Sequence, residues 1–251
     1  AEGLSKSYGS LEVFTGVDLA IDRGSKVVVL GLNGAGKTTL LRLLGGVEEP
    51  DSGEVIPGHG LKIGYYAQEH ETLDETRTIR ENMGGGAPAL DDTHVPNFLG
   101  QFLFQGDDVE KPVSVLSGGE KTRLALATLV VSGANVLLLD EPTNYLDEEH
   151  IAWLTRYLQD YENAFILISH EIPFLNSVIN TIYHMYEKQL NRYVGDYDHF
   201  LEVFEMQKAQ REAAYNRQQQ EIAELQDFVN RNKARVATRN MAMSRKKKLD
   251  N

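Results

Sequence analysis

One stretch constrains this chain more than any other: Val27-Val28-Val29-Leu30 followed by Gly31-Leu32-Asn33-Gly34-Ala35-Gly36-Lys37-Thr38-Thr39. The second part fits G-x-x-x-x-G-K-[ST], and it lies between a β-branched run of strand length and an apolar helical pattern with Leu40, Leu41, Leu43 and Leu44. Glycines let the backbone curl so that its N–H groups converge on the β- and γ-phosphates of a triphosphate. Lys37 adds a mobile positive charge, and the Thr38 hydroxyl is a hard oxygen ligand for Mg²⁺. A strand, a phosphate loop and a helix in that order predict an α/β fold.

The rest of the first 195 residues agrees. Val136-Leu137-Leu138-Leu139 and Phe165-Ile166-Leu167-Ile168 are continuous apolar runs, and each ends in polar residues, Asp140-Glu141 and Ser169-His170. That is the pattern of a buried parallel sheet with its site at the strand C-termini. Alone, Asp140 and Glu141 read more readily as helix-capping acids. Beside residues 31–39 they read as a pair in which Asp140 holds Mg²⁺ through water and Glu141 orients or deprotonates the attacking water. Residues 11–21, broken at Thr15-Gly16, alternate and predict antiparallel strands. Between about 69 and 114 the pattern becomes helical around Gly84-Gly85-Gly86, which predicts an inserted helical subdomain with a glycine break.

Composition narrows the function classes. With no cysteine in 251 residues, disulfides and cysteine-ligated zinc or iron–sulfur sites are excluded. No apolar run approaches the roughly 20 residues that span a bilayer, and the N-terminal AEGLSKSYGS carries no signal-peptide core. The expectation is a soluble, cytoplasmic protein without membrane insertion. The net charge of −12 hides an asymmetry: residues 208–248 hold eleven Lys/Arg against four Asp/Glu. Residues 196–251 contain neither Gly nor Pro, and Leu201, Phe204, Tyr215, Ile222, Leu225 and Val229 recur with a period near 3.5. This predicts a long exposed helix, turning near 235–244 into a helical hairpin. From charge alone the basic segment reads as a solvated tail or as an arm for an anionic partner.

Leu116-Ser117-Gly118-Gly119-Glu120 resembles the signature motif of ATP-binding cassette proteins. In the same resemblance Tyr8 stands for the adenine-stacking aromatic, Gln68 for the Q-loop glutamine, Asn144-Tyr145-Leu146-Asp147 for the D-loop and His170 for the switch histidine. It covers roughly residues 3–195. It implies a P-loop cassette over 1–195, with an antiparallel β subdomain and a helical subdomain at about 69–134, followed by a helical basic linker arm over 196–251. ATP and Mg²⁺ are the implied cofactors. Nucleotide contacts fall to Tyr8, Gly31, Asn33, Gly34, Ala35, Gly36, Lys37, Thr38, Thr39, Ser117, Gly118 and Gly119. Metal contacts fall to Thr38, Gln68 and Asp140, and catalysis to Glu141, His170 and Gln68. Because the family buries ATP between two cassettes, the site needs a second one, in cis or as a homodimer.

Glu141-Pro142-Thr143-Asn144-Tyr145-Leu146-Asp147 resembles the corresponding run of the ABC-F proteins, and Gly195-Asp196-Tyr197-Asp198-His199-Phe200-Leu201 resembles the start of their interdomain linker. That branch implies an ATPase acting on the ribosome, its basic arm meeting rRNA and tRNA. The alternative is the nucleotide-binding subunit of an ABC membrane transporter, whose cassette motifs are nearly the same. Three departures stand out. The chain begins just before Tyr8, so the expected first strand is missing or very short, and it stops inside the expected return helix, as a fragment would. Residues 63–68 and 98–112 resemble second cassettes of this family, whereas Tyr145 onward resembles first cassettes; beyond these three, Glu171 follows the histidine where the family usually has aspartate.

Overall fold

The computed structural model describes residues 1–67, 73–86, 95–100, 102–104, 106–232 and 244. The three apolar runs foreseen in the sequence form the centre of a six-stranded sheet. Its members are β3 (Lys26–Gly31), β5 (Ile63–Tyr66), β6 (Val136–Asp140), β7 (Ala164–Ile168), β8 (Thr181–Tyr186) and β9 (Gln189–Val194), in the order β5-β6-β7-β3-β8-β9. All neighbours run parallel except β8 and β9. Every residue of β7 is buried, which explains why its sequence shows no alternation.

The insertion of β7 between β6 and β3 decides where the site forms. It sets Asp140 opposite Ile168 and brings the C-terminal ends of three parallel strands side by side. Helix α1 (Lys37–Leu44) follows β3 and buries Leu40, Leu41 and Leu43 beside Val27, Val29, Leu138 and Ile166. Burying each such side chain stabilises the fold by about 1.5–3 kcal/mol.

A second, three-stranded sheet has β1 (Glu2–Tyr8) between β2 (Leu11–Val17) and β4 (Ser52–Glu54), both antiparallel to it. This corrects the expectation of a missing or very short first strand: β1 is seven residues long. It is held on both edges and anchored by Leu4, which is fully buried with Phe14 and Val17. The antiparallel strands expected within 11–21, broken at Thr15-Gly16, are corrected: β2 runs unbroken through Thr15 and Gly16 to Val17, and its antiparallel partner is β1, with register shifts between Leu4 and Ser7.

Helical elements follow β5: α2 (Ile79–Gly86), α3 (Val95–Gly100), two 3₁₀ turns (Gly106–Glu110 and Val113–Val115) and α4 (Gly118–Val131). The glycine triplet forms the last three residues of α2, which ends at Gly86, and residues 87–94 lie outside the described ones. Ile79 and Met83 are fully buried and hold the helix, so the roughly 1 kcal/mol that a glycine costs in a helix is tolerated at its end. Helices α5 (Glu148–Asp160) and α6 (Ile172–Val178) follow β6 and β7 and complete the α/β pattern.

The chain divides into two compact units, Ala1–Asp198 and His199–Asn251. The second is dominated by α7 (Tyr197–Asn232), a 36-residue helix about 54 Å long at 1.5 Å per residue. Ring stacking of Phe200 on Phe204 at 5.6 Å and an Asp227–Arg231 pair at 2.8 Å support it locally. The expected hairpin tip and return helix lie outside the described residues, apart from Ser244. Among the described residues no helix is long and apolar enough to cross a membrane.

Candidate functional site

The loop between β3 and α1 is shaped by what its glycines lack. Gly36 caps α1 with φ +101° and no side-chain hydrogen bond, so the first N–H groups of the helix keep no side-chain acceptor. A Cβ at Gly36 would stand 2.3 Å from Val13 Cγ1 and 3.1 Å from Phe14 Cδ1. Only glycine lets strand β2 close onto the loop. Lys37 is 8% exposed, and its ammonium donates to the carbonyls of Gly31 at 2.9 Å and Leu32 at 3.2 Å. Burial lowers its pKa, while the carboxyls of Glu141 and Asp140 oppose the shift. It is a largely desolvated cation bonded to neutral carbonyls, a state that favours an arriving anion.

The acids come from the end of β6. Asp140 is 1% exposed, and neither of its carboxylate oxygens has a hydrogen bond of ordinary geometry among the described residues. Burial raises its pKa; the nearby Thr38 hydroxyl and the charges of Lys37 and Arg42 offset part of the rise. A buried carboxylate with unsatisfied oxygens beside a threonine hydroxyl is the donor set of a hard cation such as Mg²⁺. No group of three or more His, Asp or Glu converges among the described residues, so a cation here would take most of its ligands from phosphate and water, as Mg²⁺ does.

Glu141 adopts φ +50°, a left-handed conformation that costs a side-chain-bearing residue about 1–2 kcal/mol. Its N–H donates to the Ile168 carbonyl at 2.9 Å. The side chain is directed to His170, whose Nε2 lies 3.1 Å from Glu141 Oε1. Burial raises the Glu141 pKa above the usual carboxylate range; His170 and Lys37 lower it, and Asp140 adds to the rise. Backbone strain at a residue held this way is characteristic of functional positions.

These groups share one cleft of about 590 Å³, lined by Tyr8, Asn33, Gly34, Gly36, Lys37, Thr38, Thr39, Asp140, Glu141 and His170. Gly31 and Ala35 shape the loop behind it: the Gly31 carbonyl holds Lys37, and the Ala35 N–H donates to Leu32 at 3.1 Å. Asn144 of the D-loop resemblance and Glu171 also line the cleft, as do Leu11 and Val13, to which the sequence reading gave no role in the site. For Leu11 and Val13 the alternation of β2 was the available signal. Gln68 lies outside the described residues.

Ser117, Gly118 and Gly119 do not line this cleft. They open α4, where a capping box joins Ser117 to Glu120. The Ser117 hydroxyl donates to Glu120 Oε2 at 2.7 Å, and the Ser117 N–H reaches the same oxygen at 2.8 Å. The motif sits against Tyr145, whose carbonyl oxygen would be 2.9 Å from a Cβ on Gly119. Thus one chain carries a phosphate cleft and, apart from it, a helix start of the kind that binds anions.

Known proteins resemble the chain in sequence and in fold. A family model described as ABC transporter matches residues 14–144, and a second with the same description matches residues 183–251. The chain is 46% identical to the uncharacterized ABC transporter ATP-binding protein YfmM of Bacillus subtilis, over 98% of this chain and 56% of that protein. It is 33% identical to the putative ATP-binding protein YdiF of the same organism, over 98% of this chain and 45% of that one. To ABC transporter F family member 5 of Arabidopsis thaliana it is 38% identical, over 76% of this chain and 28% of that protein. It therefore spans about half the length of the two Bacillus relatives. Among solved structures, an ATP-binding cassette dimer in a post-hydrolysis state bound to ADP and Pi superposes with a TM-score of 0.66 at 20% identity. That match covers 77% of this chain and 97% of the other, a likeness of fold.

Proposed function

Because the chain belongs to the ABC transporter family of ATP-binding cassettes, we propose that its cleft binds Mg·ATP and that it hydrolyses ATP once a second cassette supplies a signature helix. The observation that carries this reading is the meeting, at adjacent strand ends, of buried Lys37, unsatisfied Asp140 and the Glu141–His170 pair. Lys37 and the loop N–H groups bind the β- and γ-phosphates. Thr38 and Asp140 are the described residues that would hold Mg²⁺, which when bound neutralises charge on those phosphates. Glu141, its carboxyl raised by burial, accepts the proton of the attacking water more readily than an exposed glutamate does. His170 orients Glu141 and meets the γ-phosphate. The second cassette's counterpart of α4 completes the site, since Ser117, Gly118 and Gly119 stand outside this chain's own cleft.

The finer reading is an ABC-F protein acting on the ribosome. It is supported by the run 141–147, by the likeness to an F family member, and by a 36-residue helix that leads into a segment with eight Lys/Arg and no acid over 229–248. Lys and Arg on such an arm neutralise RNA phosphates and release counterions. The test is cosedimentation of the chain with ribosomes in Mg·ATP, comparing it with a variant carrying Lys246→Glu, Lys247→Glu and Lys248→Glu. Binding is expected to weaken at least about tenfold in the variant and to fall steeply with salt in the parent. Equal sedimentation of the two would contradict a role for the arm and favour the transporter-subunit alternative.

A further inference from the structure

Glu48 takes no part in the chemistry above, yet it holds a residue that does. The Tyr8 hydroxyl donates to Glu48 Oε2 at 2.7 Å, and the other oxygen of Glu48 lies 3.3 Å from Arg42 Nη1. Arg42 stands on α1, the helix whose N-terminus closes the phosphate loop. Lys6 adds a further restraint: its ammonium lies 3.8 Å from Glu48 and 5.5 Å from the centre of the Tyr8 ring, and it donates to the Glu49 carbonyl at 2.7 Å. One carboxylate thus joins an aromatic ring at the end of β1 to the helix of the phosphate loop. The Glu48 carboxyl sits below the usual range, chiefly because of the Tyr8 hydrogen bond acting against burial, with Arg42 and Lys6 adding to it. It remains ionised, and so a full acceptor, at neutral pH.

The geometry matters because Tyr8 is 47% exposed at the wall of the cleft. A ring that exposed samples several orientations unless something holds it, and ordering it on binding costs about 0.5–1.5 kcal/mol. The Glu48 contact provides that order before the ligand arrives.

We propose that Glu48 is a positioning residue for recognition of the nucleotide base: it fixes the Tyr8 ring for stacking and ties that ring to the phosphate loop through Arg42. The proposal rests on the reading of the cleft as a nucleotide site, and it adds a residue 40 positions from Tyr8 that no motif marks.

Calorimetric binding of ATP and of inorganic triphosphate to the full chain, both with Mg²⁺, separates base from phosphate. Glu48→Ala and Tyr8→Phe are each expected to weaken ATP roughly three- to tenfold and to leave triphosphate unchanged. The double variant should be no weaker than the weaker single one, because both remove the same contact. Glu48→Gln, which keeps an acceptor oxygen, should recover most of the affinity. Equal losses for ATP and triphosphate in Glu48→Ala would overturn the proposal, showing that Glu48 acts through α1 alone. A loss in Tyr8→Ala without one in Glu48→Ala would overturn it too, leaving the reading of the cleft intact. Failure of the parent chain to bind either ligand would overturn that reading itself.

Discussion

Asp140 is buried in a setting that penalises its charge, and this has a consequence that pH can expose. Its folded pKa lies above the value it has in the unfolded chain, so between the two values the native state binds more protons. Native stability therefore falls as pH rises from the ordinary carboxylate range through the raised pKa. Glu141 contributes a dependence of the same sign. Replacing Asp140 with Asn removes the charge and keeps the shape. In the absence of Mg²⁺ and nucleotide, Asp140→Asn is expected to raise the thermal midpoint near neutral pH by a few degrees, for about 1–2 kcal/mol of relieved burial. The gain should shrink as pH falls through the raised pKa toward the ordinary carboxylate range; a gain that stays flat with pH would contradict the assignment. Glu141 is tested by turnover instead. Glu141→Gln should slow ATP hydrolysis by about 10²-fold or more while leaving ATP binding within a few-fold, as loss of a general base does.

At the scale of elements, the site is a product of strand order. Because β7 lies between β6 and β3, Gly31, Asp140 and the residues after Ile168 share one edge of the sheet. The start of α4 is fixed separately, by the reciprocal Ser117–Glu120 cap and by the close approach of Tyr145 to Gly119. Ser117→Ala should cost about 1 kcal/mol, read as a drop of roughly 2–4 °C in thermal midpoint. No drop would mean that the cap is not formed in solution. The phosphate loop was legible because it is a short local pattern between a strand and a helix signal, the two acids because they end a strand in a chain that holds that loop, and the start of α4 through its resemblance to a family motif. The three core strands were legible because full burial leaves continuous apolar runs. The Tyr8–Glu48–Arg42 link was not legible, since its partners belong to β1, to the loop after α1 and to α1, and no spacing records the contact with Tyr8. The helical state of the glycines that end α2 was not legible for a related reason: burial of Ile79 and Met83 overrides a local preference against helix.

At the scale of the molecule, the first unit carries the cleft and, apart from it, the start of α4, which we propose are two halves of a nucleotide site, and the second carries a long helix leading to a basic segment. On the proposed reading, nucleotide binding is coupled to pairing with a second cassette. That coupling presupposes that the cleft grips a triphosphate through Lys37. Titration of Mg·ATP into the full chain and into Lys37→Ala by calorimetry tests this most directly. The parent is expected to bind and the variant to bind at least about tenfold more weakly, the loss of a charge-assisted contact worth about 1.5–3 kcal/mol. Equal binding by the two chains would contradict the account at its base.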